Sequence, residues 1–192
     1  MSCSSRKGFT LIEILVVVSI IGILVAILTV NFTKVRGDAR NKGIKTSLSE
    51  IQLSLAVYKA QNGRYPDADS GCKVTSSSLD TADSVACGSA PYITSLMPDF
   101  IAALPSHTAS GNSSCKIVYQ VDKTNKSYYK LTAQNCFSGA LAASAGIQPS
   151  DEYARCPSSC GTCNGSTFNA TYQGLAAFYE SMSVYSNGGE CL

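Results

Sequence analysis

Residues 7–28 read KGFTLIEILVVVSIIGILVAIL, and one charge, Glu13, interrupts an otherwise apolar helix-length run. The run from 9 to 30 is 22 residues long. As a helix it measures about 33 Å, enough to cross a hydrocarbon core of about 30 Å. A carboxylate near the centre of a bilayer costs roughly 2.5–3.5 kcal/mol on insertion scales, so Glu13 stands at the edge of the run or has a partner. Arg6 and Lys7 precede the run. Its length exceeds the usual 7–15 or so apolar residues of a cleaved secretory signal, and no small-x-small site follows it. The segment is expected to stay with the protein.

Two signals disagree on orientation. Lys34, Arg36, Arg40, Lys42 and Lys45 beyond the run outnumber Arg6 and Lys7 before it, which by the positive-inside count places the bulk of the chain in the cytoplasm. Nine cysteines oppose this. Without Cys3, near the start, Cys72, Cys87, Cys115, Cys136, Cys156, Cys160, Cys163 and Cys191 remain, an even set in a Ser/Thr/Gly-rich head. That is a disulfide framework of an oxidising compartment, so the head is expected outside. Eight cysteines allow 105 pairings. Cys72–Cys87 is one expected pair, and Cys115–Cys136, bracketing a hairpin, is another.

Without Arg6 and Lys7, 13 of the 15 basic residues remain against 13 acidic ones, so the trimmed chain is formally neutral. Neutrality permits close self-association without naming the partner.

No proline lies between 31 and 62, and Ile44, Leu48, Ile51, Leu55 and Tyr58 recur at 4-3-4-3 spacing. One helix from about 9 to 61 is predicted, apolar nearly all round in its first half and one-faced in its second. Asn62-Gly63 and Pro66 end it. Residues 67–114 read as a long disulfide-tied loop with a short helix near 92–103. Residues 115–121 (CKIVYQV) and 127–133 (SYYKLTA) are β-branched and aromatic around a polar turn, a hairpin. Residues 138–166 are small and flexible in composition, and 167–192 are expected to add further strands or a short helix.

The 7–28 stretch resembles the N-terminus of bacterial type IV pilins and pseudopilins: a basic leader ending in Gly8, then Phe9, with Glu13 fifth in the mature chain. YKAQNGRYP (58–66) is similar to the helix end and first loop of that class, and YYKLTA to its hairpin strand. The resemblance implies four segments. Residues 1–8 are a cleaved leader, and 9–30 are the membrane-resident and polymerising half of the helix. Residues 31–62 are its amphipathic half, and 63–192 an extracellular disulfide-rich head. It implies cleavage between Gly8 and Phe9 by a membrane peptidase, N-methylation of Phe9, and polymerisation by an assembly machinery. Many pilins have a proline at the place of Val30. This chain departs there, so a helix melted between Gly22 and Val30 is not carried over.

A cleaved Phe9 bears an α-amine, mostly protonated at neutral pH at its reference pKa of about 7.7–8.0. Glu13 of one subunit is expected to pair with that amine on a neighbour and set the axial stagger, with registry as the main gain. Gly22 and Ala26 form a small-xxx-small pair that allows close helix approach.

Other constellations point elsewhere. Cys156-x3-Cys160-x2-Cys163 has iron–sulfur spacing, and Cys160-x2-Cys163 has thiol-oxidoreductase spacing. Both demand a catalytic fold that this loop-rich head does not suggest, and structural disulfides are preferred. A single His107 argues against zinc. Lys116, Lys123, Lys126 and Lys130 interleave with Tyr119, Tyr128 and Tyr129, the composition of a single-strand nucleic-acid platform. The acidic balance of 63–192 argues against that partner. Sequons at Asn112, Asn125, Asn164 and Asn169 carry little weight in a Ser/Thr-rich chain.

The expected fold is α+β, one long N-terminal helix packed on a small antiparallel sheet stapled by about four disulfides. The expected function is structural, with neither catalysis nor cofactor. The chain reads as a prepilin that leaves the cytoplasmic membrane as a homo-oligomeric helical filament, an extracellular pilus for adhesion, twitching motility or DNA uptake. The alternative is a pseudopilin of a type II secretion system, against which stands the lack of the acidic calcium loop of the major pseudopilins. A membrane-anchored thiol oxidoreductase is the reading from another class.

Overall fold

The computed structural model describes residues 8–75, 78–105, 113–137, 146–163 and 166–192, without the side chains of 28–34, 74–75 and 172. The leader up to Lys7, Cys3, His107 and the sequons at Asn112 and Asn164 lie outside the described residues. The chain divides into two compact units, 1–36 and 37–192.

Helix α1 is Leu11–Asn62, 52 residues without a break. Having no proline, the stretch between Gly22 and Val30 keeps its helical backbone, as the departure at Val30 suggests. Gly63 closes α1 in the left-handed region (φ +74°) and donates its N–H to the Lys59 carbonyl at 2.8 Å. Gly63 and Pro66 stand where the sequence puts the stop.

Strands β1 (Val74–Thr75), β2 (Leu79–Asp83), β3 (Lys116–Asp122), β4 (Tyr129–Gln134) and β7 (Met182–Tyr185) form one antiparallel sheet in the order β1-β2-β3-β4-β7. A separate two-stranded ribbon joins β5 (Thr162–Cys163) and β6 (Ser166–Thr167), followed by single-turn helices α2 (Ala170–Gln173) and α3 (Ala176–Tyr179). The predicted hairpin is β3–β4, in register Tyr119↔Leu131. The short helix expected near 92–103 is only a 3-10 turn, Thr94–Leu96. Proline at 98, inside that stretch, removes an amide donor that a longer helix requires. The "loop" at 67–114 also hides β2, whose inward-facing residues are Asp80 and Ala82.

Within the second unit, Ile44, Leu48, Ile51 and Leu55 of α1 are buried in one core with Tyr119, Val121, Tyr129, Leu131, Ala133 and Met182. Tyr58 packs at its margin, its ring 5.1 Å from Phe100 edge-to-face. Each buried Leu or Ile contributes about 1.5–3 kcal/mol. The 4-3-4-3 stripe is therefore the seam between helix and sheet. A second small cluster, Cys156, Cys160, Cys163 and Phe178, stands apart from that core.

An ionic clamp ties the β3–β4 turn to β2. The Lys126 ammonium is 2.8 Å from Asp80, 3.0 Å from Asp67 and 2.9 Å from the Lys123 carbonyl. Burial alone pushes the Asp80 carboxyl up, but the hydrogen bond and charge of Lys126, with Lys73 behind, hold it below the usual range. Burial likewise pulls Lys126 down, and its hydrogen bonds to Asp80 and Asp67 outweigh that and raise it. The pair is ionised.

Candidate functional site: the N-terminal helix and the cysteine frame

Gly8 and Phe9 are exposed, non-helical residues immediately before α1. Behind them, Leu11, Ile12, Ile14, Leu15, Val16, Val17, Val18, Ile20, Ile21, Ile23, Leu24, Val25 and Ile27 are exposed around the whole circumference of the helix. Ser19, the single hydroxyl among 14–27, returns its proton to the Leu15 carbonyl at 2.8 Å, so it leaves no unpaired donor. Among the described residues no helix is long and apolar enough to cross a membrane. The described side chains of the apolar run stop at Ile27.

Glu13 does what the charge-based reading overlooked. Thr10 donates its backbone N–H and its hydroxyl to Glu13 Oε2, both at 2.7 Å, and the Glu13 N–H donates to Thr10 Oγ1 at 3.4 Å. That is a capping box, Thr-x-x-Glu, which satisfies donors at the start of α1. The signal was legible as TLIE. The cap holds the carboxylate beside Phe9, where the new amine of a cleaved chain would arise. Gly22 meets nothing within 4 Å of a Cβ built upon it, so among the described residues its lack of a side chain serves no contact.

All eight head cysteines are paired: Cys72–Cys87, Cys115–Cys136, Cys156–Cys163 and Cys160–Cys191. The two expected pairs are present. The C-x-x-C sulfurs are bonded not to each other but to Cys191 and Cys156, which leaves no dithiol for the oxidoreductase reading and no thiolate for a cluster. The lysine–tyrosine platform is also dismantled by the fold. Tyr119, Tyr129, Lys126 and Lys130 are buried, leaving Lys123 exposed and Lys116 and Tyr128 half-buried. Stacking bases needs open aromatic faces.

Comparison with known proteins agrees with the signature. Residues 3–29 match the family described as prokaryotic N-terminal methylation motif. The chain carries the N-terminal signature of the type IV pilin and pseudopilin family. Type II secretion system core protein G of Klebsiella michiganensis is 34% identical over 67 residues, 35% of this chain and 47% of that protein. Type IV major pilin protein PilA of Myxococcus xanthus is 39% identical over 62 residues, 32% of this chain and 28% of that protein. The chain thus spans less than half the length of these curated relatives. No solved structure matches.

Proposed function

We propose that this chain is a prepilin. It is cut between Gly8 and Phe9, methylated on the Phe9 amine, and polymerised into an extracellular type IV pilus. Residues 9–30 hold the precursor in the cytoplasmic membrane, and in the filament they pack against the same segments of neighbouring subunits. The observation that carries this reading is the apolar, fully exposed helix surface of 11–27 directly behind the KGF junction. In water such a surface is costly, because each exposed apolar Å² forfeits about 25 cal/mol. A membrane and then a filament core supply the cover.

In this proposal Glu13 leaves part of its capping contact with Thr10 and pairs with a neighbour's Phe9 amine, which sets the stagger between subunits. Gly22 and Ala26 let adjacent helices approach closely. Peptidase, methylase and assembly machinery are the partners, and the four disulfides fit a head that lies in an oxidising compartment outside the cytoplasm. The similarity to protein G supports a second reading, a periplasmic pseudopilus subunit built by the same chemistry.

Expressing Glu13→Val and Gly8→Leu separately, and comparing membrane-bound, cleaved and filament pools, tests the reading. Glu13→Val is expected to be cleaved, to keep its folded head and to fail at assembly. Gly8→Leu is expected to accumulate uncleaved in the membrane. Normal assembly of Glu13→Val would defeat the pairing role, and filaments confined to the periplasm would favour the pseudopilus.

A further inference from the structure

Residues 186–192, SNGGECL, lie across strand β4 and lock onto it by unusually specific means. Ser186 donates its N–H to the Tyr129 carbonyl at 3.1 Å, and its hydroxyl accepts the Tyr129 N–H at 2.9 Å. Gly188 holds φ +89° and donates its N–H to the Glu190 carboxylate at 2.7 Å. A Cβ on Gly189 would fall 2.1 Å from the Tyr129 carbonyl oxygen, so only glycine lets the chain pass there. One residue along β4, Lys130 is 1% exposed, and its Nζ donates to the main-chain oxygens of Glu190 at 2.9 Å and Leu192 at 2.7 Å.

Cys191 sits between those two acceptors and is bonded to Cys160, 31 residues away. Cys191 is exposed and Cys160 is buried. The disulfide therefore fixes the piece of backbone that receives the lysine. Burial pushes the Lys130 ammonium down to about 7; the like charge of Arg155 adds to this and Glu190 opposes it. Tyr185 faces Lys130 in the β4–β7 register and is itself pushed up by burial. A buried amine in such surroundings depends on its acceptors, because an unpaired polar group in low dielectric is costly.

We propose that 186–192 is a redox-released clasp on β4, fastened together by the Cys160–Cys191 disulfide and the Lys130 amine, each strengthening the other. Coupling of this kind is reciprocal: what the disulfide contributes to holding Lys130, Lys130 contributes to protecting the disulfide. Release begins at the exposed sulfur. A thiolate of a small dithiol attacks Cys191 Sγ, forming a mixed disulfide and expelling the Cys160 thiolate, which takes a proton from water. The reagent's second thiolate then attacks its own sulfur in that mixed disulfide, closing to a cyclic disulfide and expelling Cys191 as thiolate, later thiol. Two electrons pass to the protein and the reductant is oxidised. Cys191 then no longer holds those main-chain oxygens in place, and Lys130 reaches solvent.

Amine acylation of the detergent-solubilised full chain with an N-hydroxysuccinimide acetate, read by peptide mass spectrometry, tests this. In the oxidised protein Lys130 should react about ten-fold more slowly than exposed Lys123, as a buried, hydrogen-bonded amine does. In the Cys160→Ser/Cys191→Ser variant Lys130 should approach the rate of Lys123, while Lys126 in its ionic clamp stays protected. Equal protection of Lys130 in both proteins overturns the clasp. Opening of Lys126 together with Lys130 also overturns it, since the disulfide would then hold the whole head. The reverse arm uses Lys130→Met with all disulfides intact. Limiting dithiothreitol should reduce Cys160–Cys191 about five-fold faster than in the unaltered protein, with Cys115–Cys136 unchanged. An unchanged rate, or acceleration shared by Cys115–Cys136, contradicts it.

Discussion

Two stretches of the same helix, 11–27 and 41–58, solve opposite problems with the same apolar alphabet. In 41–58 one stripe of large apolar residues, Ile44, Leu48, Ile51 and Leu55, is buried by the sheet and loops of this chain, while Leu53 and Val57 face out. In 11–27 they run all round and every one is exposed. Periodicity makes the difference. A stripe needs one covering surface, which the head supplies, whereas a full circumference needs cover from every side. The 41–58 stretch is folded in by its own chain, and in the proposed function 11–27 is covered by membrane and then by neighbours.

The sharpest way to break this contrast is to place a carboxylate in each stretch. Leu48→Asp buries an unpaired charge at a cost of several kcal/mol, comparable with the whole stability of a domain at about 5–15 kcal/mol. The head should lose cooperative unfolding in thermal circular dichroism. Val17→Asp should leave the head's melting temperature unchanged and abolish filaments. If Val17→Asp unfolds the head, the two stretches are not independent.

Smaller, and confined to the head, is the loss of its ionic clamp. Lys126→Met takes from the buried Asp80 the ammonium 2.8 Å away and leaves Lys73 at 3.5 Å. Breaking one side of a buried pair costs about 3–5 kcal/mol, measured as a fall in urea midpoint with unchanged slope. Assembly of the protein that remains folded should be normal, because the clamp lies in the second unit.

The smallest effect is a pH slope. Lys130 has a folded pKa of about 7 against 10.5 in its ordinary state. Between those values the unfolded chain binds a proton the folded chain has released. Stability therefore rises with pH from 7 towards 9, by up to about 1.4 kcal/mol per unit. Tyr92, Tyr119 and Tyr129, whose hydroxyls burial pushes up, act with the opposite sign only above 10. Urea titrations at pH 7, 8 and 9 should show the rise in the unaltered head and its absence in Lys130→Met.

Legibility followed the same divide. The stripe, the helix stop and the β3–β4 hairpin were readable because hydrophobic period and turn residues encode them locally. Strand β2 was not, because LDTAD turns Asp80 inward and its partner Lys126 lies 46 residues on. Lys130 and Tyr129 have the composition of a solvated hairpin face, and nothing in the composition of SNGGECL announces that it covers them. Structural disulfides were the reading of the cysteines, but the partners of Cys160 and Cys163 were not legible, because connectivity is a property of the fold. The charge of Glu13 stands out in an apolar run, while its hydrogen bonds to Thr10 show only in the Thr-x-x-Glu spacing. The Gly8–Phe9 junction and the role of Glu13 between subunits rest on sequence resemblance, because a single chain carries no interface.

Intact-mass measurement of protein sheared from cell-surface filaments tests the central claim most directly. The filament chain should begin at Phe9 with one methyl group on its amine and have eight fewer hydrogens than the fully reduced form, two for each of four disulfides. A filament chain that retains residues 1–8, or one that starts beyond Val30, would contradict it.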